Sequence, residues 1–176
     1  MKEVVHELFT KKQVEEKIKE IAQEINRKYE GQSLHVIGVL KGGVFFFADL
    51  IRQLDIPVTM DFIAASSYGD GTESTGKLSV QKDLDEPIDG LHCLVVEDVI
   101  DSGNTLSMIK KMLEARNPAS VEICTLLNKP DRRETQVEIE YNGFVIPDQF
   151  VVGYGLDYAQ KYRNLPYIGV LEFVEE

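Results

Sequence analysis

The chain has no tryptophan, two cysteines and three histidines among its 176 residues. Cys93 and Cys124 each sit inside an apolar run and form no CxxC pair. This excludes a disulfide framework and leaves buried core thiols of a reducing compartment. His6, His35 and His92 are scattered without ligand spacing, so a zinc site has no support. No apolar run approaches the ~20 residues that span a bilayer. The opening Met1-Lys2-Glu3-Val4-Val5-His6-Glu7 has no signal-peptide core or cleavage site. A cytoplasmic location without a membrane partner is the expectation. Positive charge is scarce too, with 19 Lys and Arg against 30 Asp and Glu, a net charge of −11. Such an excess repels phosphate backbones, so nucleic acid is not an expected partner. A small phosphorylated substrate remains possible, because it needs only a local positive pocket.

What is present fits one α/β domain. Hydrophobic residues make up 43% and charged residues 28%, ordinary values for a globular chain. Its length suits a single core, and no repeat, low-complexity tract or composition break marks a linker. Thr10-Lys11-Lys12-Gln13 is a capping box, with Phe9 and Val14 at the hydrophobic-staple positions. Val14, Ile18, Ile21, Ala22 and Ile25 then mark one apolar helix face. Leu34–Leu40, Leu91–Val96 and Val121–Leu127 are apolar runs without alternation, the pattern of parallel strands buried on both faces. Val58–Ala65 is a further strand, and helices are predicted over Val44–Leu54 and from Thr105 to just before Pro118. Ser66 to about Leu84 reads largely as a polar loop. Short strands are predicted around Val137–Tyr141, Phe150–Gly153 and Ile168–Phe173. The fold class is α/β, a mostly parallel central sheet flanked by helices, with ligands expected at the carboxyl ends of its strands.

The chemistry concentrates in Val95-Val96-Glu97-Asp98-Val99-Ile100-Asp101-Ser102-Gly103-Asn104-Thr105. An apolar strand delivers two adjacent acids, and a short polar turn then opens a helix. A helix N-terminus offers unpaired N–H groups and partial positive charge, which suits phosphate. Ser102 and Thr105 add hydroxyls, and Gly103 permits close backbone approach. Glu97 and Asp98 can hold sugar hydroxyls or a hydrated Mg²⁺. Taken alone, Asp101–Thr105 is equally good helix-capping chemistry. The acids before it shift the balance, because three carboxylates in five residues at a strand end are costly without a cation or hydroxyls nearby.

This segment resembles the phosphoribosyl-pyrophosphate signature of the type I phosphoribosyltransferases. The Walker and GxGxxG patterns are absent. The Glu-Asp-x-Ile-Asp form is similar to the branch that acts on hypoxanthine and guanine. The resemblance covers nearly the whole chain. Val39–Gly43 is similar to the family's pyrophosphate loop, which implies Lys41, Gly42 and Gly43 as anion ligands and a cis peptide at Leu40–Lys41. Leu126–Pro130 resembles the purine-reading segment, with Lys129 donating to the exocyclic O6. Asn128 stands where bacterial relatives often have aspartate. Ile146–Tyr158 is very close to the base-binding hood. It implies that Phe150 stacks on the purine, that Val151 offers backbone groups and that Asp157 meets a second Mg²⁺. Arg163 would pair with pyrophosphate. Without the resemblance, Lys129 is a solvent-seeking strand-end lysine, Phe150 a core residue and Arg163 a surface one. Ala65–Gly69 and Ser74–Gly76 resemble the catalytic lid, with Ser67 and Tyr68 in it.

The resemblance thus implies transfer of a phosphoribosyl group from phosphoribosyl pyrophosphate to a 6-oxopurine, with Asp101 as general base and Mg²⁺ held by Glu97, Asp98 and Asp157. The phosphoribosyl-pyrophosphate ligands would be Lys41, Gly42, Gly43, Glu97, Asp98, Asp101, Ser102, Gly103, Asn104, Thr105 and Arg163. Residues 1–176 would form one domain, with a core over about 10–135 and a hood from the N-terminal segment and about 136–176. Assembly as a homodimer or homotetramer is implied as well.

Overall fold

The computed structural model describes residues 1–67 and 77–175. Strand β1 (Lys2–Phe9) leads into helix α1 (Lys11–Lys28). The capping box forms as expected. Thr10 Oγ1 accepts from the Gln13 N–H at 3.1 Å, and Gln13 Oε1 accepts from the Thr10 N–H at 2.9 Å. The five apolar positions of α1 are all buried.

Six strands form the central sheet in the order β4-β3-β2-β5-β6-β7. They are β2 (Leu34–Val39), β3 (Val58–Ser67), β4 (Leu78–Lys82), β5 (His92–Ile100), β6 (Ser120–Asn128) and β7 (Tyr141–Val145). All neighbours are parallel except the β3–β4 pair. Helices α2 (Val44–Ile51) and α3 (Asn104–Glu114) complete the layers. Every residue of β2 is buried. Leu34 and Val36 pack with α1 and α2, while Ile37 and Val39 pack with α3. This is why the run carries no polar alternation. Gly38 is tight for the same reason: a Cβ there would stand 2.9 Å from the rings of both Phe47 and Phe62.

The chain runs outward from β2 to β3 and then returns to β5 on the other side, so strand order reverses between β2 and β5. The carboxyl ends of these two strands flank the crevice where open α/β sheets bind ligands. A second, antiparallel sheet has the order β1-β9-β8, with β8 (Val151–Val152) and β9 (Ile168–Val174).

Several boundaries differ from the sequence reading. β1 is ordered by pairing with β9, from Lys2↔Val174 to Phe9↔Ile168, a partner that local sequence does not reveal. β4 lies inside the stretch read as loop and is held as an edge strand by β3. Residues 137–140 are not a strand. Val137 and Ile139 instead pack against the α3 face, and the strand begins at Tyr141. Because β7 pairs with β6, the central sheet reaches Val145 rather than ending near 135. β5 runs on to Ile100, so Glu97 and Asp98 lie within the strand rather than beyond it.

Candidate active site

Two strand ends meet at the crevice. After β2 the Leu40–Lys41 peptide is cis, as the resemblance implied. Lys41 is exposed. Gly42 is packed so close to β5 that a Cβ would lie 1.9 Å from Asp98 Oδ2. A Cβ on Gly43 would lie 2.8 Å from the Val39 carbonyl oxygen. The Val39 carbonyl leaves no room for a side chain at Gly43, whereas Gly42 meets only the movable Asp98 carboxylate, and the close approach brings Lys41–Gly43 against the acids of β5.

The turn after β5 places Gly103 at the N-cap of α3 with φ 80°, and no side chain of that residue closes the first turn. The Ser102 hydroxyl accepts from the Asn104 N–H at 3.2 Å. The next N–H groups of the helix are left for a ligand or solvent, as the end of a helix requires. Residues 134 and 135 brace the turn. Their N–H groups donate to the Ser102 carbonyl at 2.9 and 3.0 Å. The Asn104 amide donates to Glu134 at 2.8 Å and accepts from Thr135 at 2.5 Å. The Asn104 side chain thus shapes the turn. A Cβ on Gly103 would lie 2.5 Å from the Thr135 carbonyl oxygen, so only glycine fits.

Glu97, Asp98, Val99 and the Asp101–Thr105 turn line a cleft of about 260 Å³. A larger cavity, about 460 Å³, lies between α1 and α2, lined by charges such as Glu15, Asp49 and Arg52. It holds none of the phosphate-turn residues. In the cleft, burial first, and then the neighbouring Asp98 and Asp101, push the Glu97 carboxyl well above the usual range. The donor set is carboxylate oxygen, the chemistry of Mg²⁺. Among the described residues no three carboxylate, histidine or cysteine side chains converge into a ready-made metal site.

Lys129 ends β6 and is 8% exposed, so it is buried rather than reaching into solvent. Its Nζ stands 3.5 Å from Asp101 Oδ1. Arg133, which sequence reasoning did not single out, ties this corner together. Its Nε donates to the Asp101 carbonyl at 3.0 Å and its Nη2 to Asn128 Oδ1 at 2.5 Å. Nothing in the polar run Asp131-Arg132-Arg133-Glu134 signals that one arginine folds inward.

The hood supplies the remaining residues. Phe150 is 51% exposed, not core, and meets the Tyr158 ring edge-on at 5.7 Å. Val151 follows it, buried in β8. Arg163 pairs with Asp157 at 3.1 Å and donates to the Gly155 carbonyl at 2.7 Å. Its Nε is buried without a partner. Gly155 presses on the loop after β2, because a Cβ there would lie 2.1 Å from the Gly42 carbonyl oxygen. Ser67, at the end of β3, contacts the Thr105 hydroxyl at 3.0 Å, which joins the predicted lid base to the turn. Tyr68 and Ser74–Gly76 lie outside the described residues.

Comparison with known proteins agrees with this geometry. Residues 4–159 match the model of the phosphoribosyl transferase domain. The hypoxanthine phosphoribosyltransferases of Salmonella typhimurium and Escherichia coli are each 47% identical over the full length of both chains. A hypoxanthine phosphoribosyltransferase structure from Staphylococcus aureus superposes with a TM-score of 0.92 at 44% identity, covering 95% of this chain and 91% of that one. A Bacillus anthracis hypoxanthine-guanine phosphoribosyltransferase gives 0.90 at 51% identity, covering 94% and 97%. The chain belongs to the phosphoribosyl transferase family, on the branch of the hypoxanthine phosphoribosyltransferases.

Proposed function

We propose that the chain works in purine salvage, transferring the phosphoribosyl group of phosphoribosyl pyrophosphate to hypoxanthine and guanine to give IMP and GMP. The observation that carries this reading is the buried Lys129 held 3.5 Å from Asp101 at the mouth of the turn. An ammonium there donates to a purine O6, and adenine has an amino group in that place. The neighbouring carboxylate is left to accept a proton from the same ring.

The Asp101–Thr105 turn takes the 5′-phosphate on its free N–H groups and the Ser102 and Thr105 hydroxyls. Glu97 and Asp98 fix the ribose hydroxyls. Lys41, Gly42, Gly43 and Arg163 take the pyrophosphate, with the Lys41 and Arg163 charges meeting the anion. Phe150 stacks on the base and Val151 lines its edge. A purine ring nitrogen attacks the anomeric carbon as the bond to pyrophosphate breaks. Asp101 accepts the proton released at N7, a role typically worth ~10²–10⁴-fold in rate. The ribose carries oxocarbenium character as the bonds exchange, so aligning the two substrates contributes as well. Glu97, Asp98 and Asp157 would hold Mg²⁺, whose charge neutralises the departing pyrophosphate. Ser67 and Tyr68 belong to a lid that keeps water from the activated sugar.

The proposal includes a homodimer or homotetramer, supported by the exposed apolar side chains Met60 and Val145, 62% and 63% accessible. Sedimentation velocity tests it, and a monomer at assay concentration rejects it. It also includes a cytoplasmic location, supported by the two buried free thiols. No helix among the described residues is long and apolar enough to cross a membrane. Pyrophosphate release from phosphoribosyl pyrophosphate and Mg²⁺ is the direct test of activity, with hypoxanthine, guanine, xanthine, adenine and uracil offered separately. Release with hypoxanthine or guanine is expected. Release with none of the five removes the catalytic assignments.

A further inference from the structure

Tyr154 has φ 51°, between Gly153 at 91° and Gly155 at 98°. Left-handed backbone is unfavourable for a bulky residue. The two glycines are explained by space, since a Cβ would lie 2.2 Å from the Tyr167 carbonyl oxygen at Gly153 and 2.1 Å from that of Gly42 at Gly155. Tyr154 has no such reason to sit there, so its side chain must be required. The ring is 8% exposed and packs near Phe45, with centroids 6.4 Å apart. Its hydroxyl donates to Asp49 of α2. Asp49 also accepts from Arg52 at 2.6 Å. Burial, and then the Asp49 carboxylate, push the phenol upward, so it remains a donor at neutral pH.

The backbone around Tyr154 supports the pyrophosphate ligands. Its N–H donates to the Leu165 carbonyl at 2.9 Å, and the Gly155 N–H donates to the Arg163 carbonyl at 2.9 Å. Arg163 returns a bond to the Gly155 carbonyl at 2.7 Å. Phe45 and Asp49 lie on the helix that begins directly after Gly43. One side chain therefore ties the loop carrying Arg163 to the element that follows the Lys41–Gly43 loop.

We propose that Tyr154 is a positioning residue whose hydroxyl, pinned on Asp49, sets Arg163 and Lys41–Gly43 in register around one pyrophosphate. The inference rests on the proposed pyrophosphate roles of those residues and assigns Tyr154 no substrate contact.

Tyr154→Phe keeps the ring and removes the hydroxyl, and Asp49 retains Arg52, so no carboxylate is stranded. The KM for phosphoribosyl pyrophosphate is expected to rise about tenfold, the scale of one hydrogen bond to a charged group. The KM for hypoxanthine should stay unchanged. Affinity for pyrophosphate, measured by titration calorimetry, should fall by the same factor. Asp49→Asn keeps an acceptor and should retain most of the wild-type affinity, whereas Asp49→Leu should match Tyr154→Phe. A lowered Tm with wild-type KM for phosphoribosyl pyrophosphate would show a merely structural role and overturn the inference. If the wild type transfers to none of the bases, the catalytic reading fails separately. Equal pyrophosphate affinities of wild type and Tyr154→Phe then still reject the role of Tyr154.

Discussion

At the end of β5, Glu97, Asp98 and Asp101 crowd together, and Lys129 is the one cation paired with them among the described residues. In the hood several charges already have partners: Arg163 pairs with Asp157, and Glu3 accepts from Lys161 and the Tyr162 hydroxyl. The strand end is thus built to be completed by what binds it, cation, hydroxyl or phosphate. The hood's Arg163 is already paired within the protein, with only its buried Nε left without a partner, and under the proposed function it must share or exchange Asp157 when pyrophosphate arrives. Preorganisation takes two forms in one cleft. The core carries an unmet electrostatic demand, while the hood carries a braced loop whose placement decides whether its arginine points the right way.

The largest expected break is at the core end. Asp101→Asn keeps the shape of the turn and its bond from Arg133, which goes to the backbone carbonyl. Under the proposed function it removes the proton acceptor, together with the charge that pairs with Lys129. Turnover should fall about 10²–10⁴-fold, with phosphoribosyl pyrophosphate affinity by calorimetry largely retained. Wild-type kcat would show that the carboxylate only supports the phosphate turn.

The purine should sense both regions differently. Under the proposed function Lys129→Ala removes the donor to O6, and the preference for hypoxanthine over adenine should fall by about tenfold or more, as for a charged hydrogen bond. Phe150→Ala, in the same reading, removes a stacking face that does not distinguish bases. Its KM should rise for every purine accepted, by about 1–3 kcal/mol of stacking, with the hypoxanthine-to-adenine ratio unchanged. Competition assays with the two bases read both effects. A changed ratio in Phe150→Ala would mean that the hood reads the base edge too.

Much of the core end was legible in the sequence because its determinants are local. The apolar run of β5, the adjacent acids and the glycine of the turn lie within a dozen residues, and each constrains the backbone directly. The helix start at Thr10 was legible for the same reason. What escaped was decided at long range. β1 owes its existence to β9 at the other end of the chain. Val137 and Ile139 have strand-like composition but pack as loop against α3. Arg133 turns inward because Asn128 and the Asp101 carbonyl await it, and no spacing rule encodes that. The hood was readable chiefly through its resemblance to relatives. A two-residue strand and four non-glycine residues at positive φ, three of them between 159 and 162, have no periodicity to detect.

The subtlest separation of the two regions is in how stability depends on pH without ligand. Glu97 is raised, by burial first and then by Asp98 and Asp101. Its folded form keeps a proton that the unfolded chain gives up, so stability falls as pH rises above the ordinary carboxylate value. Glu3 is lowered, by hydrogen bonds from Lys161 first and then from Tyr162. Its contribution is present above the ordinary carboxylate value and is lost as pH falls through the lowered one. Glu97→Gln should therefore raise Tm at neutral pH in chelator, with the gain vanishing in acid. Glu3→Gln should lower Tm slightly at neutral pH, less than Glu97→Gln raises it because Glu3 is solvent-screened, and that loss should vanish in acid too. The two difference curves should thus converge on zero from opposite sides as pH falls. If Glu97→Gln instead destabilises at neutral pH, the carboxylates of β5 are compensated within the protein, and the contrast between an end awaiting a ligand and a self-paired hood is lost.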